Sequence, residues 1–531
     1  MRRLPALVTT AITAVLCGQL VAPAAATAEG FTVREAKIAG SGGISLAAKV
    51  IEPEGADRGP RPLLVMPASW ALPNIEYVGA AARLAHESGY VVVSYTARGF
   101  HGSGGEVEVA GSADVADARK VIDWAVEHTS AGDEHVGMAG ISYGAGISAL
   151  TAAEDSRVDA VAAMSGWSDL VASLYPNETV SSAAAELLLA SGKLTGRLGS
   201  ELRELERAYR QHRVEDELDM ARERSPKNRI DQLNANGTAV LLANAWQDSL
   251  FPPGQITEMF ERLNGPKRLM LSPGDHATPE LFGAAGLPNR VWERVADWFD
   301  QHLRGVDRGV PASGVELQPL NSSEWRSYSS WRAVSRRTET HYLDAPRKRH
   351  PLAPGTGELP TDERPSWQHR IEAGDPTLAH SGTVLVSGAL QGFTRMPVGV
   401  PLPLVDREDA AVWATEPRSE EVLVSGTPRL GVTVTPSARS VSLFVHLYDV
   451  GPAGRGSLIS RKPVTLRNGK PGVQQRVEVA LRPTSWEVPA GHRLALVIDT
   501  VDTRYRDESS GGTVTFGSPD GNPADLRVPF G

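Results

Sequence analysis

Cysteine is nearly missing from this 531-residue chain: Cys17 is the only one. That excludes internal disulfides, and it excludes thiolate metal sites built on a cysteine cluster. Aromatic residues make up only 6% and charged residues 22%, an ordinary soluble balance, while hydrophobic residues reach 41%, enough for a sizeable core with no metal or disulfide staple. Positive charge is also in short supply. The net charge of −9 argues against nucleic acid as a partner. Beyond the first 28 residues there is no run of 18 apolar residues, so no later membrane span is expected.

The first 28 residues stand apart. Arg2 and Arg3 precede an apolar stretch from Leu4 to Val21, and Ala26-Thr27-Ala28 fits the small-residue rule for signal peptidase. Residues 1–28 therefore read as an export signal and the protein as secreted; the alternative is an uncleaved anchor, against which Pro5, Gln19 and three threonines weigh. Leu16 is too large for a lipoprotein cleavage site ahead of Cys17. Cleavage would remove the sole thiol and two positive charges, which leaves no cysteine nucleophile.

Two periods divide the rest. Across residues 31–306, continuous apolar runs ("RPLLVMPAS", "YVVVSYTA", "HVGMAG", "VDAVAAMSG", "TAVLLANAW", "KRLMLSPG") alternate with helical segments. Helices are expected over Glu76–Ser88, Ala113–His128 (apolar face Val115, Ala118, Ile122, Ala125) and Asn289–Leu303. Such alternation predicts a doubly wound, mostly parallel sheet covered on both faces. Residues 167–232 break the pattern with helices alone and read as a lid, or else as a peripheral decoration. From residue 370 to 531 the period becomes two ("SVSLFVHLYDV", "VQQRVEVAL", "HRLALVIDT"), helix signals vanish, and an antiparallel β-sandwich is expected. Residues 311–369, rich in Pro, Ser and Arg, read as an irregular linker, which leaves 29–310 as the α/β domain.

"GMAGISYGAG" places Ser142 between a strand and a helix, with Gly140 and Gly144 flanking it. A nucleophile at a tight strand-to-helix turn needs unusual backbone angles and small neighbours, and the following helix offers an N–H to developing negative charge. With 52 glycines in the chain, a chance G-x-S-x-G match is not rare, so the partners decide. Serine needs a base, and the base an orienting acid. Asp248 follows the strand "TAVLLANAW" and His276 follows "KRLMLSPG", in the order Ser, Asp, His. Taken singly, Asp248 reads equally as a helix cap and His276 as a surface histidine. Asp275 competes as the acid but adjoins the histidine. His302 competes as the base but lies within a helix. Ser142, Asp248 and His276 are therefore the expected nucleophile, acid and base of an acyl-transfer reaction. No ligand cluster suggests a metal, and the chemistry calls for no cofactor.

These motifs, with "YTARGFHGSGGE", "NAWQDSLF", "SPGDHA", "FDQHLRG", "EWRSYSSW" and "PAGHRLALVID" in the same order, resemble the X-Pro dipeptidyl-peptidase and cocaine esterase family of serine hydrolases. The resemblance implies an α/β-hydrolase core, a helical cap and a C-terminal jelly roll. It implies an oxyanion hole made by the Tyr143 N–H and a second donor. In the family that donor is a tyrosine hydroxyl; here "MPASWALP" offers Trp70 instead, through its indole or its backbone N–H, or Trp70 simply packs the pocket wall. Arg98 in "TARGF" reads as a loop tie. Trp167, Tyr175 and Trp246 are candidate pocket walls or core residues. The resemblance leans toward release of N-terminal Xaa-Pro dipeptides, for which Asp169 and Glu178 are candidate holders of the free amine, or else solvated carboxylates. The alternatives are a carboxylesterase or acylase acting on small esters, and an inactive hydrolase serving as a cell-wall or carbohydrate-binding protein.

Overall fold

Alternate side chains of the same strand feed different cores. In the computed structural model, which describes residues 30–55, 60–348, 354–467, 469–509 and 511–531, Leu63 and Val65 face one apolar cluster while Leu64 and Met66 face another. Val91 and Val93 against Val92 repeat the split. This is the period-two geometry of a strand buried on both sides. The expected export signal lies outside the described residues.

The first sheet has ten strands: β1 (Phe31–Ala39), β2 (Ser45–Pro53), β3 (Arg61–Pro67), β4 (Val91–Tyr95), β5 (Ala131–Ile141), β6 (Val158–Met164), β7 (Ala239–Ala245), β8 (Lys267–Ser272), β9 (Ser313–Leu317) and β10 (Arg326–Tyr328). Their order is β1-β2-β4-β3-β5-β6-β7-β8-β9-β10. The pairs from β4 through β9 are parallel, and antiparallel strands close both edges. Helices α1 (Val78–Ser88), α2 (Ser112–His128) and α3 (Tyr143–Glu154) cross between the early strands. The expected face of α2 is buried in full.

Between β6 and β7 come only helices: α4 (Leu170–Leu174), α5 (Ser182–Thr195), α6 (Ser200–Arg210), α7 (Leu218–Glu223) and α8 (Ile230–Asn236), with short 3-10 turns. After β7 follow α9 (Gly254–Arg262), α10 (Leu281–Ala284) and α11 (Arg290–Leu303). Asn289 caps α11 by accepting from the Trp292 N–H at 3.1 Å. Val291, Val295, Trp298 and Phe299 bury the stripe seen in the sequence.

Residues 311–369 are not an irregular connection. They supply β9 and β10 to the first sheet, and Arg337–Tyr342 and Trp367–Glu372 to the second half, paired with Asp525–Phe530 and Thr513–Ser518. The second half is two packed sheets, one of eight strands and one of six. In Val441–Val450 every residue is buried, not only the expected Val441, Leu443, Val445 and Leu447. The other face, with Phe444 and Tyr448, is covered by Tyr505 and by a cluster that includes Ala379, Val400 and Leu402. A helix also appears where helix signals seemed to stop, α12 (Val386–Thr394). Gly388 and Gly392 mask it in the sequence. One turn apart, they let α12 lie directly on residues 274 and 275: a Cβ at Gly392 would stand 2.9 Å from the Gly274 Cα, and one at Gly388 2.6 Å from the Asp275 carboxylate. Among the described residues, no helix is long and apolar enough to cross a membrane.

Candidate active site

Ser142 stands at the end of β5 with φ 56° and ψ −114°, just ahead of α3. A side chain at Gly140 would strike the backbone of Gly144, and one at Gly144 would strike the carbonyl of Pro67. The two glycines are thus required by close backbone approach. The turn is pinned by the Ser142 N–H donating to the Met164 carbonyl at 2.9 Å and the Ile141 N–H donating to the Tyr77 hydroxyl at 2.9 Å. Tyr143 opens α3, so its N–H has no acceptor within the helix.

The loop after β7 carries Asp248 and the loop after β8 carries His276. His276 Nε2 lies 2.8 Å from the Ser142 Oγ, and its Nδ1 lies 3.0 Å from Asp248 Oδ2. Asp248 is wholly buried, and its Oδ1 accepts from the N–H groups of Leu250 (2.9 Å) and Phe251 (2.7 Å). One carboxylate oxygen is therefore held by the backbone and the other faces the ring. Burial alone would lower the imidazole pKa, but the Asp248 charge and hydrogen bond, with smaller help from Asp275 and Glu280, leave it above the ordinary 6.5.

Asp275, the rival acid, has a different place. Its Oδ1 accepts from the Ser249 N–H, the Ser249 hydroxyl and the His276 N–H at 2.6–2.8 Å, tying the acid loop to the histidine loop. His302 lies within α11, its ring against Trp298. Arg98 grips Asp117 through two nitrogens (2.8 and 3.0 Å) and donates to the Ser41 carbonyl at 3.2 Å, the loop tie expected of it.

The aromatic candidates separate. The Trp70 indole N–H is directed to the Leu188 carbonyl and the Ser191 hydroxyl on α5, at 3.1 and 3.2 Å. Its ring meets Phe100 and Tyr143 edge-on. Of the two donors Trp70 offers, the indole N–H is already engaged with the cap, which leaves the backbone N–H. Trp167 donates to the Arg224 carbonyl at 2.8 Å and its ring neighbours Tyr143 and Phe251; Phe251 in turn packs edge-on against His276. Trp246 is a core residue, 1% exposed, donating to the Gln318 carbonyl at 2.7 Å. Tyr175 donates to Glu215 at 2.7 Å beneath the Arg467 guanidinium, so it joins cap to sandwich.

Two carboxyls, the half-buried Glu76 and the buried Glu280, escaped the sequence reading. Glu76 accepts from the Ser69 N–H and hydroxyl (2.7 and 2.6 Å), and burial pushes its pKa up to about 7. Glu280 accepts from the Ser165 hydroxyl (3.1–3.2 Å), whose oxygen accepts from the Ala277 N–H at 3.1 Å, and burial pushes Glu280 up to about 8. Ser165 and Ala277 both have positive φ, 43° and 60°. Only the position of Glu280, four residues past the histidine, could have drawn attention to it.

Two family models match adjacent stretches: X-Pro dipeptidyl-peptidase (S15 family) over residues 42–278, and X-Pro dipeptidyl-peptidase C-terminal non-catalytic domain over 306–519. The chain belongs to this family of serine hydrolases. It is 25% identical to the cocaine esterase of a Rhodococcus species (strain MB1 Bresler) over 495 residues, which are 80% of this chain and 83% of that protein. Its fold is similar to a CocE/NonD family hydrolase of Staphylococcus aureus (TM-score 0.71, 14% identity, 94% of this chain and 93% of the other). It is similar also to an α-amino acid ester hydrolase (TM-score 0.68, 16% identity, 97% and 99%). Both structures bear on the α/β core and C-terminal β-sandwich alone.

Proposed function

We propose that this serine hydrolase cleaves small esters through an acyl-enzyme, with Ser142 as nucleophile, His276 as base and Asp248 as its orienting acid. The observation that carries the acyl-transfer chemistry is the continuous hydrogen-bonded path from Ser142 Oγ through both ring nitrogens to Asp248. His276 takes the hydroxyl proton as Ser142 attacks the carbonyl carbon. The Tyr143 and Trp70 backbone N–H groups receive the oxyanion. His276 then protonates the leaving alcohol, and water, activated by the same imidazole, releases the acid. The rings of Trp70, Phe100, Tyr143, Trp167 and Phe251 pack on one another beside the triad, Phe251 edge-on against His276, apolar surroundings that favour an apolar acyl or alcohol group.

Ester is favoured over peptide by one contact set. Asp169 accepts from the Ala172 N–H of its own helix at 3.0 Å and pairs with Lys227, and Glu178 is exposed on the surface. The Asp169 carboxylate is therefore already engaged within the protein, and that of Glu178 stands in solvent. The second reading, release of Xaa-Pro dipeptides, is favoured by the description of both family models. Initial rates on p-nitrophenyl acetate and butyrate against Ala-Pro p-nitroanilide, with Ser142→Ala as control, test the choice. Ester turnover with little anilide cleavage is expected; dominant anilide cleavage selects the peptidase, and fluorophosphonate labelling absent from Ser142 defeats both. The composition of residues 1–28 supports export and cleavage after Ala28; the N-terminal mass of protein recovered from medium tests it.

A further inference from the structure

Three arginines are buried together where the sandwich meets the acid loop. Arg461 is 2% exposed, Arg482 6% and Arg504 4%. Buried guanidinium groups are ordinarily matched by carboxylates. Here every hydrogen-bond acceptor is neutral. Arg461 Nη1 donates to the side-chain carbonyl of Gln247. Arg482 donates to the Asp248 carbonyl (2.8 Å) and the Tyr505 hydroxyl (3.3 Å). Arg504 donates to the carbonyls of Gly382 (2.8 Å) and Thr383 (3.0 Å). Among the described residues, none of the three pairs with a carboxylate, and Arg461 Nε and Nη2 and Arg504 Nη1 have no acceptor.

The surroundings do not cancel this charge. Asp502 is taken up by the His446 ring, the Ser381 N–H and the Arg504 N–H; Asp275 holds Ser249 and His276 through Oδ1, while its buried Oδ2 has no hydrogen-bond partner. Neither accepts a hydrogen bond from the three guanidinium groups. Burial, and then repulsion from Arg482 and Arg504, lowers the Arg461 pKa well below its ordinary value; burial lowers that of Arg504 as well. Three cations beside two carboxylates leave an excess of positive charge, with unpartnered N–H groups on Arg461 and Arg504.

We propose that Arg461 and Arg504, with Arg482 behind them, bind a small monovalent inorganic anion of chloride size. This goes beyond the ester hydrolase reading and does not depend on it. The unmatched donors supply hydrogen bonds, and the charge excess supplies the electrostatic attraction. The full burial of the guanidinium groups favours a small ion over a bulky organic acid. Because Arg461 holds Gln247 and Arg482 holds the carbonyl of Asp248, the anion would also stiffen the loop that presents Asp248 to His276.

Two measurements test it on the full-length protein. In crystals grown in sodium bromide, anomalous diffraction at the bromine edge should show a peak within hydrogen-bond distance of Arg461 and Arg504. Water density there, or bromide on the outer surface only, overturns the proposal. In solution, sodium chloride should raise Tm saturably, by about 2–4 °C over sodium gluconate at equal ionic strength, and Arg461→Met should abolish that difference. Equal Tm in both salts, or a difference that persists in the variant, also overturns it. Should Arg461→Met fail to fold, the bromide crystal of the unaltered protein decides alone.

Discussion

Replacing Asp248 with asparagine removes one charge and changes little volume, yet the site geometry makes its consequence large. Oδ1 of Asp248 receives two backbone N–H groups, from Leu250 and Phe251. In Asp248→Asn the amide oxygen must stay there, since turning the NH2 toward those donors would leave two buried N–H groups unmatched, at about 1–3 kcal/mol each. The NH2 is then forced to face His276 Nδ1, now 3.0 Å from Oδ2. A donor at that place makes Nδ1 an acceptor and puts the ring proton on Nε2, opposite Ser142 Oγ. The base arrives already protonated and the imidazolium loses its counter-charge. The expected loss in kcat is about 10⁴-fold, or about 5.4 kcal/mol of transition-state stabilisation. Steady-state hydrolysis of p-nitrophenyl butyrate at neutral pH measures it, with thermal unfolding as a folding control. A folded variant that keeps kcat within about tenfold of the parent would refute the tautomer argument and the assignment of Asp248 with it.

Three further outcomes follow from the same geometry. Trp70→Phe should change kcat by only a few-fold in ester assays, since the indole N–H serves α5 and the backbone N–H remains; a loss of 10²–10³, the usual effect of deleting an oxyanion donor, would return that role to the side chain. The logarithm of kcat/KM should rise with pH to a midpoint above 6.5, because the His276 pKa is raised and only its neutral form accepts the Ser142 proton; a midpoint below 6.5 contradicts this. Stability should run the other way. His276, Glu76 and Glu280 all hold protons more tightly folded than unfolded, so denaturant midpoints should fall as pH rises toward about 8, and Glu280→Gln should flatten the slope.

The positions of Ser142, Asp248 and His276 were legible because each is fixed locally. A serine between two glycines, at a strand-to-helix junction, needs no distant information, and the other two follow strands whose apolar runs are unbroken. The half-buried Glu76 and the buried Glu280 were not legible, because how far a glutamate is covered is decided by what packs over it. The same holds for α12, whose glycines lower helix propensity but permit contact with residues 274 and 275. The polar stretch 311–369 hid its strands for a related reason. Arg337–Tyr342 carries charge on a partly exposed strand and shows no continuous apolar run.

These packing terms also decide between a buttress and an appended binding module. A module on a flexible tether would leave the hydrolase half complete without it. Here the sandwich half reaches the acid loop through Arg461 to Gln247, Arg482 to the Asp248 carbonyl, and the Leu385 N–H to the Ser249 hydroxyl at 3.0 Å. It reaches the cap through the Arg506 N–H to the Val180 carbonyl and the Ala183 N–H to the Arg504 carbonyl. β9, drawn from the supposed linker, is hydrogen-bonded beside β8, the strand that ends just before His276. Asp248 and His276 are thus held in place partly by the C-terminal half, and their alignment with Ser142 depends on both halves folding as one.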